Sequence, residues 1–116
     1  GLSVQVIYVA DVTVLAEYYV ICTGRSSTHV RALANHLEEQ ASKQGITALH
    51  AEGKDNAEWV LLDFGDVIVH IFSREAREFY RLEKLFKPEA FLPIPEVPSE
   101  ENQSTPDFIQ GNERKD

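Results

Sequence analysis

Two β-rich runs open the chain, Val4-Gln5-Val6-Ile7-Tyr8-Val9 and Tyr18-Tyr19-Val20-Ile21-Cys22-Thr23. They predict two central strands joined by a short connection over Asp11 to Glu17. From Val30 the period changes. Val30, Leu33, Ala34, Leu37 and Ala41 recur at helical spacing, the stripe of an amphipathic helix. Ser26 or Ser27 can cap its first turn, and Gly45 suits the left-handed residue after its end. Ile46 to His50 predicts a third strand, and a strand–helix–strand unit implies a right-handed crossover. Glu52-Gly53-Lys54-Asp55-Asn56 reads as a turn.

The alternation is clearest in two runs, Glu58 to Phe64 and Val67 to Phe72, separated by Gly65-Asp66, the composition of a tight hairpin. Side chains alternate along a strand, so Val60, Leu62, Phe64, Val67, Val69 and Ile71 form one wholly apolar face, the core side. The other face sets Trp59, Leu61 and Asp63 against Ile68, His70 and Phe72. That mixture fits either a helix-covered layer or a binding surface, because interfaces enrich aromatics beside a few placed polar groups. His70 on its own reads as a structural histidine bonded to Asp63 or to backbone. Ser73 can cap a final helix with Phe79, Leu82, Leu85 and Phe86 on one side.

After Lys87 the pattern stops: all five prolines fall between positions 88 and 106. Residues 1–87 therefore read as one domain and 88–116 as an acidic, proline-containing mobile tail that buries too little apolar surface to offset ordering entropy. Phe91-Leu92 or Phe108-Ile109 can still dock locally. The length of 116 residues allows a single core, and 43% apolar content excludes a fully disordered chain. No apolar run approaches the ~18–20 residues that would cross a bilayer.

Net charge is −8, and residues 88–116 hold seven acids and two bases of it, so the body is nearly balanced. A surplus of acids opposes binding to phosphate backbones, and little or no direct nucleic-acid binding is expected. Docking on a basic protein beside RNA remains open to such a chain. The one cysteine, Cys22, forms no internal disulfide and points to a reducing compartment. The chain opens Gly1-Leu2-Ser3 without Met, so it reads as having lost its initiator or as trimmed.

Catalytic chemistry finds little support in the residues. His29, His36, His50 and His70 lack metal-binding spacing, and no metal or cofactor is expected. Gly24-Arg25-Ser26, between a strand and a helix, resembles a phosphate-binding turn without the P-loop lysine. Two-metal nucleotidyl transfer would need paired carboxylates, but Asp63 stands alone on its strand and Glu38-Glu39 point in different directions.

A family likeness runs in order through residues 4–87. It is carried by Tyr18-Tyr19-Val20-Ile21-Cys22-Thr23-Gly24, by His29-Val30-Arg31-Ala32-Leu33-Ala34, by Glu52-Gly53, by Trp59 through Phe72, and by Arg77-Glu78-Phe79-Tyr80 with Leu82-Glu83. Together these resemble the ribosomal silencing factor, or Iojap-like, family. The resemblance implies an α/β fold, a mixed sheet with flanking helices in nucleotidyltransferase-like topology without catalytic carboxylates. It implies a non-enzymatic factor that binds the large ribosomal subunit through ribosomal protein fourteen, blocks small-subunit joining and represses translation. Organelle relatives act in large-subunit assembly. Residual nucleotide binding at the Gly24 turn is the alternative from another class.

Carried over position by position, the resemblance implies partner contacts at Trp59, Asp63, His70, Tyr80 and Glu83, supported by Glu52, Phe72, Arg77 and Glu78. Trp59, Phe72 and Tyr80 would supply anchor area; Asp63, Glu78 and Glu83 would meet Lys or Arg; His70 and Arg77 would fix local geometry. A homodimer through the Trp59 face can compete for the same surface. The family setting is the bacterial cytoplasm, or an organellar stroma or matrix. The chain departs from the family in lacking the helix that usually precedes the first strand, which suggests truncation, and in carrying Arg81 and Phe86 where Asp and Trp are common.

Overall fold

The parallel pairing of two strands distant in sequence organises the computed structural model, which describes residues 3–93. β1 (Val4–Tyr8) and β2 (Tyr18–Gly24) form an antiparallel pair, α1 (Ser27–Lys43) follows, and β3 (His50–Glu52), β4 (Trp59–Asp63) and β5 (Val67–Ser73) come next. β5 lies parallel to β2 with Ile21 opposite His70 and Gly24 opposite Ser73. α2 (Arg74–Tyr80), two 3-10 turns (Leu82–Leu85 and Pro88–Ala90) and β6 (Phe91–Leu92) complete the order. The six-stranded mixed sheet runs β3-β4-β5-β2-β1-β6, so both expected early strands have neighbours on each side.

α1 forms where its stripe predicts. Ser26 is the N-cap, its hydroxyl accepting from the His29 amide, and Gly45 follows the end at φ +81°. Its Val30 and Ala34 are buried with Val60, Leu62, Val69 and Ile71, the apolar hairpin face. The hairpin register puts Leu62 opposite Val69 and Asp63 opposite Ile68, leaving Gly65-Asp66 as the connection. On the opposite face Ile7, Ile21, Ile68 and Phe72 pack with Ala76 of α2, and Leu82, Phe86, Ala90 and Phe91 close over them. The sheet is therefore sandwiched, with α1 on one side and the C-terminal segment on the other.

Three expectations are corrected. The third strand is His50–Glu52, later than Ile46 to His50, and it lies at the edge of the sheet, separated from β2 by β5 and β4. The final helix stops at Tyr80 because Arg81 adopts a left-handed conformation, φ 49° and ψ 49°. The predicted stripe then splits: Leu82 and Phe86 pack inward, whereas Phe79 is 80% and Leu85 73% exposed. Phe91–Leu92 pairs with Val6 and Ile7 of β1, carrying the folded unit past the expected boundary at Lys87. The rest of the expected tail, including Phe108-Ile109, lies outside the described residues.

Candidate protein-docking face

α2 packs on β5 and β2, and this decides which part of the mixed face stays open. Ile68, His70 and Phe72 are buried, while Trp59, Leu61 and Asp63 on β4 are half-buried. The β3–β4 register pairs His50 with Asp63 and Glu52 with Leu61, and residues paired across an antiparallel ladder share a face. The open half of the face thus carries Trp59, Leu61 and Asp63 beside the exposed His50 and Glu52. Glu52, Gly53, Trp59 and Leu61 line an open depression of about 260 Å³ there.

Trp59 is the centre of an aromatic group. Its ring lies 4.9 Å from that of Phe72, its cross-strand partner, and 4.8 Å from that of Tyr80. Tyr80, 52% exposed, stands at the end of α2 with Phe79 edge-on at 5.0 Å. The backbone leading into Trp59 is held from α1: the Arg31 guanidinium donates to the carbonyls of Lys54 (2.9 Å) and Asp55 (2.8 Å), and Lys54 pairs with Glu38. Gly53 and Ala57 both take positive φ, 90° and 58°, and the Ala57 amide donates back to the Gly53 carbonyl at 2.8 Å. Arg31, Gly53 and Ala57 shape the site without having been singled out for it. Their contacts span long separations or rest on backbone conformation, and only Arg31 within the family signature and the Glu52-Gly53 pair signalled them.

His70 is 4% exposed. Its Nδ1 accepts from the Trp59 indole N–H at 3.0 Å, so its partner is Trp59 and neither Asp63 nor backbone, and its Nε2 has no partner. Burial pushes its pKa from 6.5 down to about 4. The unfolded imidazole takes up a proton first as pH falls, so the unfolded state binds more protons between those values and stability rises with pH across that window. Relative to His70→Leu, wild-type stability should fall by about 2 kcal/mol between pH 7 and pH 4.5. Urea midpoints of both proteins at the two pH values check this; a constant difference would contradict a neutral buried imidazole.

Of the other expected contacts, Arg77 is largely buried and knits the fold together. Its Nε donates to Glu83 at 3.1 Å, and its terminal nitrogens donate to Thr23 and Gln5. It thereby ties α2 and the following 3-10 turn to β1 and β2, and it lowers the pKa of Cys22 against the larger upward effect of burial there. Glu83 is engaged by the same pair. Glu78 is exposed and meets Arg81 at 3.5 Å. Asp63 sits at the far end of β4 from Trp59, its Oδ1 accepting from the Gly65 amide at 2.8 Å, so it shapes the hairpin turn as well as facing outward. Glu52 belongs to β3 rather than to a turn and lies 2.5 Å from His50.

The Gly24 turn has used its donors internally. The Arg25 amide donates to His29 Nδ1 at 2.9 Å and the His29 amide to Ser26 at 3.2 Å, leaving fewer amides for an anion. Among the described residues no three His, Cys, Asp or Glu side chains gather where they could hold a metal, and no helix is long and apolar enough to cross a membrane.

A family model described as ribosomal silencing factor during starvation matches residues 1–116. The chain belongs to the ribosomal silencing factor family. Among its curated relatives, the ribosomal silencing factor of Bacillus subtilis strain 168 is 44% identical over 75 residues, 65% of this chain and 64% of that protein. A mouse protein named mitochondrial assembly of ribosomal large subunit protein 1 is 33% identical over 78 residues, 65% of this chain and 34% of its own length. A crystal structure from Bacillus halodurans superposes with a TM-score of 0.69 at 35% identity, covering 79% of this chain and 83% of the other. The chain thus spans somewhat under two thirds of its first curated silencing-factor relatives, and its mixed α/β fold is shared with solved structures from Bacillus halodurans and Chromobacterium violaceum.

Proposed function

We propose that this chain is a non-enzymatic ribosome-binding factor that docks on the large subunit and sterically blocks joining of the small one. The observation that carries the reading is the open β3–β4 half of the sheet: an aromatic anchor, Trp59, braced by Phe72 and Tyr80, with Glu52 beside it and Asp63 at the far end of β4. Such a surface suits a basic protein. Apolar area at the centre supplies affinity, and acids at the rim supply orientation and encounter rate. Ribosomal protein fourteen is the partner the family resemblance implies. The charge of −8 favours a protein contact over bare RNA. A homodimer through Trp59 would compete with this docking and would be displaced by the partner.

Sedimentation of purified large and small subunits with this chain tests the reading. Co-migration with the large subunit, together with fewer joined ribosomes, is the expected result. Failure to co-migrate would overturn it. Binding without loss of joining would move the function to large-subunit assembly, the role in the mouse relative's name.

A further inference from the structure

Trp59 has one polar group, the indole N–H, and it is already satisfied inside the protein by His70 Nδ1 at 3.0 Å. Resting on the docking reading above, we propose that His70 is a positioning residue for this face: it captures the indole N–H, fixes the ring against Phe72 and Tyr80, and leaves the partner an oriented apolar surface that asks for no hydrogen-bond acceptor.

The geometry supports this in three ways. Trp59 pairs with Phe72 and Leu61 with His70, so the Trp59–His70 bond runs diagonally between adjacent pairs. It draws the indole along the sheet rather than out into solvent. A neutral imidazole that accepts at Nδ1 carries its proton on Nε2, and that buried nitrogen has no partner. An aliphatic side chain would remove that orphan but strand the indole N–H instead, so for the fold alone the imidazole gains little at this position. What it contributes is the direction of the indole, and a side chain fixed before docking has less rotamer freedom to lose on binding.

Two variants separate positioning from packing. His70→Leu removes both the acceptor and the orphaned donor; His70→Asn keeps an acceptor near the Nδ1 position but loses ring volume. We expect the Leu variant to stay close to wild-type stability at pH 7, because losing the orphaned Nε2 donor offsets freeing the indole N–H, yet to bind the large subunit about five- to tenfold more weakly. The Asn variant should be less stable yet bind within about threefold of wild type. Affinity that follows stability in both variants, or wild-type affinity in the Leu variant, would overturn the proposal.

The chain has a single Trp, so its one indole N–H resonance reports on the bond directly, and in the Leu variant it should shift and exchange faster with solvent. An unchanged resonance would also overturn the proposal. If wild type fails to sediment with the large subunit, the docking reading falls, and the indole resonance still decides whether His70 holds Trp59.

Discussion

Replacing Trp59 with Ala should weaken binding to the large subunit by at least about 2 kcal/mol, roughly thirtyfold, the range of an interface hot spot. The ring is half-buried, with Phe72 and Tyr80 at 4.9 and 4.8 Å, so part of its surface already belongs to the protein and the rest is available to a partner. Truncation removes both parts and leaves His70 Nδ1 without its donor. Some loss of stability is therefore expected, and binding must be measured where circular dichroism shows the variant folded. Reversing Glu52 to Lys should behave differently: a rim charge acts on association rate and salt dependence more than on dissociation. The pair of measurements discriminates. Should Trp59→Ala bind as wild type does, the anchor lies elsewhere and the open β3–β4 face is not the docking site.

The hairpin and α1 were legible because their signals are local. Gly65-Asp66 separates two alternating runs, and the register that follows, Leu62 opposite Val69, puts all the expected core residues on the α1 side. A regular stripe and a Ser cap fixed α1 in the same way. The end of α2 was not legible. It depends on Arg81 in a left-handed conformation, where Gly or Asn is the usual signal, and the apolar spacing through Leu85 continues as though the helix did too. β3 and β6 contain three and two residues, too few to show a period, and are set by pairing to a neighbour.

The candidate face divides along the same line. Trp59, Phe72 and Tyr80, three residues of the family signature, gather into one aromatic group. The Trp59–His70 bond, the inward engagement of Arg77 and the Arg31 clamp are tertiary contacts with no local pattern to announce them. The mixed hairpin face could be read as a covered layer or as a binding surface, and it proves to contain both a covered half on β5 and an open half on β4. The division follows from where α2 comes down, which the alternation of strand residues does not encode.

A change that touches none of the aromatic side chains should nevertheless disturb the site most. Gly53 sits at φ +90°, and a Cβ there would stand 2.1 Å from the Trp59 carbonyl oxygen. Two costs add in Gly53→Ala: about 1–3 kcal/mol for holding an L-residue at that φ, and a collision with backbone that no side-chain rotation relieves. The expected loss is about 3 kcal/mol or more, a fall in Tm of more than about 10 °C for a domain of this size. Gly45 supplies the control, since its φ is +81° yet nothing lies within 4 Å of its Cβ position. Gly45→Ala should therefore pay the conformational cost alone, about 1–2 kcal/mol. Similar losses at the two positions would show that the close approach at Trp59 is not enforced. A larger loss at Gly53, with a displaced indole resonance in whatever fraction stays folded, would show that the glycine is needed for the start of β4 to lie where it carries Trp59 onto the open face.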